Sequence, residues 1–240
     1  MSKFIIQKDV WNVIPNLAVG VLVLKNVQEN KKLSTTQEEE IKSLLDNANS
    51  NAKKYLTSDV ISENDVVKVW RETYQRFPTK KGARCSVENL LKRVLHNNPV
   101  GSILPSVDIT NAISLEYALP IGAEDADKFD GDLTLDIMHG NEHFLPIGSE
   151  TEEPPLKDEI AYKDNYGVVC RCLNWRDGQR TQISDDTTRE FIAMECVEPQ
   201  RLDKLKEAID KLASLMTKYL DAEVVSKDIL TIENNEINLN

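Results

Sequence analysis

Residues 168–195 read VVCRCLNWRDGQRTQISDDTTREFIAME. An apolar, strand-like run at 168–173 gives way to Asn174, Trp175, Arg176, Arg180, Thr181, Asp185, Asp186 and Thr187, and apolar sequence resumes at 191–194. Two strands around a polar, turn-rich insert are the simplest account of that pattern. As plain structure, the insert is a polar hairpin with an Asx or ST turn at SDDT. As a site, it gathers many directional hydrogen-bonding groups in one place. The residues alone leave both readings open.

Outward from this stretch the sequence keeps changing its period. Residues 17–27, LAVGVLVLKNV, form a valine-rich apolar run that fits a buried strand. From Thr35 the spacing of Ile41, Leu44, Leu45 and Ala48 is helical, with an acidic first turn suited to the helix dipole. Ser62 and Asp65 give a capping pattern ahead of a stripe of Val66, Val69, Trp70, Thr73 and Phe77, and Ser86 is expected to cap the helix carrying Leu90, Leu91 and Val94. Ile109, Ala112 and Ile113 predict a further helix whose core-facing row continues onto Glu116. Residues 133–147 alternate like two strands around a Gly140–Asn141 turn, and more strands follow over 160–173. Leu202, Leu205, Ile209, Leu212, Leu215 and Tyr219 predict a long helix, and the asparagine-rich residues 231–240 read as a frayed polar tail. The expectation is an α+β fold in a single domain over residues 1–230.

Composition narrows the functional classes. With 240 residues, 40% hydrophobic and 29% charged, the chain can bury a sizeable core. A net charge of −11 argues against binding nucleic acid by broad phosphate neutralisation, so any RNA contact is expected to be local and weak, and DNA is not expected as a partner. No run approaches the roughly 18 apolar residues of a membrane span, no secretory signal is visible at the N-terminus, and the cytoplasm is the expected compartment. Cys85, Cys170, Cys172 and Cys196 are too few and too irregular for a disulfide framework and read as reduced and buried. His139 and His143 flank Gly140 and Asn141 and read as surface residues, and the C-x-C at 170–172 lacks a second pair, so neither metal nor cofactor is expected. No nucleophile-elbow, phosphate-loop or dinucleotide signature occurs. Asp108 and Asn111, which share a helix face, and Glu116 join the polar insert as candidates for gripping an ammonium or hydroxyl group.

Three segments carry a family resemblance. Val107, Asp108, Ile109, Thr110 and Asn111, then Leu115, Pro120, Asp125, Asp127 and Lys128, then Ser184, Asp186, Thr187 and Glu195 follow the order of motifs in the B3/4 domain of the phenylalanyl-tRNA synthetase beta subunit. WRETYQRF at 70–77, NLLKRVL at 89–95 and LNWRDGQRTQISDDT at 173–187 resemble the free-standing B3/4 proteins more closely still. The resemblance implies a β-sandwich core of unusual topology with flanking helices, and no aminoacylation. It further implies binding of aminoacyl-tRNA or its aminoacyl moiety, with either hydrolysis of a mischarged tRNA in trans or a non-catalytic RNA- or small-molecule-binding role. On that reading Asn111, Glu116, Asn174, Arg176 and Thr181 are the catalytic candidates, and Asp108, Trp175, Arg180, Asp186, Thr187 and Glu195 bind substrate. The chain departs from the family pattern where Gly122 stands in place of the motif's histidine and where Asp177, Gly178 and Gln179 replace a GGE segment.

Overall fold

In the computed structural model, which describes residues 2–28 and 33–240, ten strands pack as two sheets. One sheet holds β1 (Lys3–Ile6), β4 (Leu133–Ile137), β5 (Ile160–Lys163), β6 (Val168–Arg171), β7 (Arg176–Asp177) and β10 (Glu236–Asn238), in the order β10-β1-β4-β5-β6-β7. The other holds β2 (Ala18–Lys25), β3 (Ile121–Asp125), β8 (Glu190–Cys196) and β9 (Glu223–Leu230), in the order β3-β8-β2-β9. Among the described residues only β1 and β4 run parallel; the other pairs are antiparallel. The fold is α+β, a β-sandwich with helices around it.

Period-two alternation explains why β2 and β8 are apolar throughout. Val19, Val21, Val23, Phe191 and Ala193 face the other sheet, where Phe4, Leu133, Leu135 and Tyr162 meet them. Ala18, Leu22, Leu24, Ile192 and Met194 face outward onto α5 (Pro105–Tyr117) and α6 (Leu202–Leu220). Strands buried on both faces lose the polar half of the pattern. Gly20 on β2 lets α6 approach closely, since a Cβ there would stand 3.1 Å from Leu205 Cδ1. The other α-helices among the described residues are α1 (Asp9–Val13), α2 (Thr35–Asn51), α3 (Asp65–Thr73) and α4 (Ser86–Leu95), and α2 opens with a capping box between Ser34 and Gln37.

Several expectations give way to tertiary contacts. The Ser62 cap does not form: Asn64 precedes α3, and its side chain binds the preceding loop instead, accepting from the Thr57 and Ser58 amides at 2.7 and 3.0 Å. Phe77 lies beyond the end of α3, which stops at Thr73. Cys85, not Ser86, is the N-cap of α4, and the Ser86 hydroxyl bonds the Ile121 backbone, tying that helix to β3. No hairpin turns at Gly140; β4 pairs with β5, and residues 138–159 form a loop in which the Glu142 carboxylate accepts from the amides of His139, Gly140 and Asn141. Residues 236–238 are not frayed but add β10 to the sheet edge beside β1. Short edge strands of three or four residues carry too little local pattern to be read without their partners.

Candidate functional site

The inward row of β8 runs Phe191, Ala193, Glu195, so an apolar wall of the sandwich ends in a carboxylate that is fully buried. Two donors meet it. The Tyr162 hydroxyl on β5, in the opposite sheet, donates to Glu195 Oε1 at 2.7 Å, and Asn174 Nδ2 donates to Oε2 at 2.7 Å. Asn174 is delivered by a turn in which Cys172 and Leu173 both adopt left-handed backbone, at φ 47° and 63°. Such conformations are uncommon for non-glycine residues and persist where surroundings hold them. Here the Tyr74 hydroxyl donates to the Cys172 carbonyl at 2.7 Å, and Asn174 Oδ1 accepts the Ser86 amide at 3.0 Å. Burial pushes the Glu195 carboxyl up to about 7, while the hydrogen bonds from Tyr162 and Asn174 oppose the shift.

A second acid sits beside the first without the same support. Gly122 and Glu124 lie on β3 opposite Ala193 and Phe191. Both Glu124 carboxylate oxygens are buried without a hydrogen-bond partner. The Thr181 hydroxyl is near enough to favour the ionised form, yet it completes no hydrogen bond either. Burial pushes Glu124 well above the usual carboxylate range and Asp177 reinforces the shift; Thr181 and the more distant Arg180 charge oppose it. Glu124, Cys170 and Asp177 bring one donor atom each within 4.8 Å of one another.

Gly122, Glu124, Cys170, Asn174 and Glu195 line one cavity together with Leu133, Tyr162, Phe191 and Ala193. Its water-accessible space is about 10 Å³, room for about one water. A Cβ built on Gly122 would meet nothing within 4 Å, and the residue has no positive φ. Gly122→Ala is therefore expected to raise the unfolding free energy by about 0.4–1 kcal/mol by restricting the unfolded chain. Urea denaturation checks this, and a loss of stability would show that the space opposite Gly122 is filled.

The residues singled out from sequence fall into separate groups. Asn174 and Glu195 meet directly, and Thr181 lies beside Glu124. Thr187 donates to Asp125 at 3.1 Å and accepts the Ser184 amide, closing the SDDT turn against β3, while Asp186 is exposed. Trp175 is half-buried under the Arg171 guanidinium, Arg176 is half-exposed with Glu153 4.0 Å away, and Arg180 is held by Asp164 at 2.7 Å and by the Lys128 carbonyl. The α5 residues lie elsewhere. Asp108 is buried where Ser102 and the Ile103 amide donate to it, Asn111 is half-buried, and Glu116 pairs with Lys211 of α6 at 2.6 Å. None of the three lines the cavity. Glu116 leaves the expected core row because an ion pair at the helix surface satisfies it better than an apolar interior would.

Sequence reasoning missed Tyr162, Glu124 and the proximity of Cys170 to Asp177. Glu124 had a signal, since it shares the inward parity of Gly122 on β3. Cys170 and Cys172 do not share a face: Cys172 lies in the left-handed turn beyond β6 and senses Glu159. All four cysteines are free and buried, as expected from their spacing.

The chain is 25% identical to the phenylalanine–tRNA ligase beta subunit of Fusobacterium nucleatum, over 58% of this chain and 19% of that subunit. It is 29% identical to the corresponding subunit of Cutibacterium acnes, over 34% of this chain and 10% of that one. It thus spans a fifth or less of these relatives. A crystal structure of an N-terminal fragment of the phenylalanyl-tRNA synthetase beta subunit from Pyrococcus horikoshii aligns with 95% of this chain and 54% of its own, at 9% identity and a TM-score of 0.48. The B3/4 domain model matches residues 69–225, a span that runs from α3 into β9 and contains every cavity residue named above, and the chain belongs to the B3/4 domain family.

Proposed function

We propose that the chain binds the aminoacyl end of a tRNA in the cavity between its sheets and hydrolyses a mischarged ester in trans. The observation that carries this reading is the buried Glu195, clasped by Tyr162 and Asn174 across the two sheets. A carboxyl near pKa 7 can exchange a proton with a reacting water at neutral pH, and a fixed hydroxyl and amide can orient an amino-acid side chain. The one-water cavity must widen to admit an aminoacyl group. The turn at Cys172 and Leu173 is the natural moving part, because relaxing its left-handed backbone withdraws Asn174. RNA contact is confined to the mouth, in keeping with the net charge of −11. A cytoplasmic location belongs to the same reading, and among the described residues no helix is long and apolar enough to cross a membrane.

Gly122 favours a second reading. Where the family motif carries a histidine this chain has none, so recognition without turnover is the competing role. Deacylation of a panel of correctly and incorrectly charged tRNAs separates the two. Hydrolysis predicts selective release of one amino acid, reduced at least about tenfold in Asn174→Ala when the variant's melting curve shows it folded. Binding without release supports the second reading, and neither binding nor release would sink both.

A further inference from the structure

Glu124, Cys170 and Asp177 come from β3, β6 and β7 and converge although the sequence spreads them over 54 positions. Two observations call for a positive charge among them. Glu124 is 4% exposed with both oxygens unbonded, a costly arrangement for an ionised carboxylate. Glu195 adds a further acid group near Cys170, while Arg180 is already engaged by Asp164 and the Lys128 carbonyl.

We propose that Glu124, Cys170 and Asp177 form a buried binding site for one divalent cation of the zinc class. One thiolate and two carboxylates are a donor set that such an ion accepts, at roughly 2.0–2.3 Å per bond, leaving a fourth position for water. Donors within 4.8 Å of one another need close by at most about 1.5 Å to reach tetrahedral spacing. The cavity beside them has space for a single water, the size of that fourth ligand. Binding releases the thiol proton, and any proton held by Glu124 or Asp177, to solvent; the thiolate then bonds the metal with no change of oxidation state. Affinity therefore falls as pH is lowered. Cys172 takes no part, since it lies on the far side of the turn near Glu159. The site stands independently of the deacylase reading: it can exist in a binding module as well as in a hydrolase.

The test uses the full chain, stripped with chelator and titrated with Co²⁺ alone. Expected are one Co²⁺ per chain and a near-ultraviolet thiolate-to-cobalt charge-transfer band that Zn²⁺ bleaches. Cys170→Ser should abolish the band, and Glu124→Gln and Asp177→Asn should each weaken affinity at least about tenfold, whereas Cys85→Ser and Cys196→Ser should leave it intact. Circular dichroism of the metal-free variants confirms folding, and Cys170→Ala replaces the serine variant if that one does not fold. No stoichiometric uptake at micromolar Co²⁺, uptake without the band, or a band that survives in Cys170→Ser overturns the proposal and leaves a protonated Glu124 as the account of its missing partners.

Discussion

Glu159→Ala is expected to lower the unfolding free energy by about 3–5 kcal/mol, the cost of leaving a buried arginine without its counter-charge. Arg171 and Glu159 have side-chain exposures of 2% and 0%, and the guanidinium donates through Nε and Nη2 to the two carboxylate oxygens at 2.8 and 2.6 Å. Its Nη1 reaches the Glu153 carbonyl at 3.0 Å, and Glu159 also accepts the Leu156 amide at 3.0 Å. Removing the carboxylate orphans two of these three arginine donors and one backbone amide. The double variant Arg171→Met, Glu159→Leu should recover most of the loss, since a buried pair is close to neutral against apolar side chains of similar volume. Urea denaturation at pH 7 reads both. A loss under about 1 kcal/mol in Glu159→Ala would mean that the pair is hydrated. The site feels the same change, because Arg171 is the last residue of β6 before the turn that carries Asn174. Amide exchange at Asn174 should accelerate in Glu159→Ala.

Stability of the metal-free protein should fall as pH rises from about 4.5 to about 7, and Glu195→Gln should flatten that slope. The Glu195 carboxyl ordinarily titrates at 4.5 and is held near 7 in the fold, chiefly by burial. Across that window the folded chain keeps a proton that the unfolded chain has released. The contribution is complete below pH 4.5 and is lost by the time pH has passed 7, about 3 kcal/mol for a shift of this size. Burial raises Glu124 and Asp177 as well, so their contributions carry the same sign. Glutamine keeps the shape but does not titrate; its amide oxygen can accept from Asn174 while its NH2 donates to the Tyr162 hydroxyl. Unfolding free energies measured in chelator at half-unit intervals decide the matter: identical slopes in the two proteins would show that Glu195 is ionised throughout. A deacylase that uses this carboxyl as a base should lose about 10²–10⁴-fold in rate on the same substitution.

Much of the fold could be read from periodicity. The helical spacing of Leu205, Ile209, Leu212 and Tyr219 corresponds to α6, and the valine run at 17–27 to β2, because each segment buries a face long enough to impose its period. Capping was less legible: Ser62 and Ser86 carry the right chemistry, but Asn64 and Ile121 offered them or their neighbours better tertiary partners. The site divides in the same way. Glu195 stood out through the family's motif order and Asn174 as a hydrogen-bonding residue of the polar insert, and the structure joins them. Glu124, Tyr162 and Asp177 did not, because a polar residue on an inward parity is visible only once the register of β3 against β8 and of β5 against β6 is known. The α5 carboxylates drew notice as polar groups on an apolar helix, and their partners on α6 and in the loop before α5 account for them without a ligand.

The pairing of β1 with β10 joins Lys3 to Asn238 and Ile5 to Glu236, so two strands far apart in sequence are lateral neighbours. On the ribosome the six-stranded sheet therefore lacks its outer strand until residues 236–238 have emerged, and β2 waits likewise for β8 and β9. Contacts between such distant segments close slowly, and until they do the edge of β1 is open to other chains. The nascent sheet thus depends on pairing between segments far apart in sequence, and deletion of residues 236–240 should be felt as aggregation during expression.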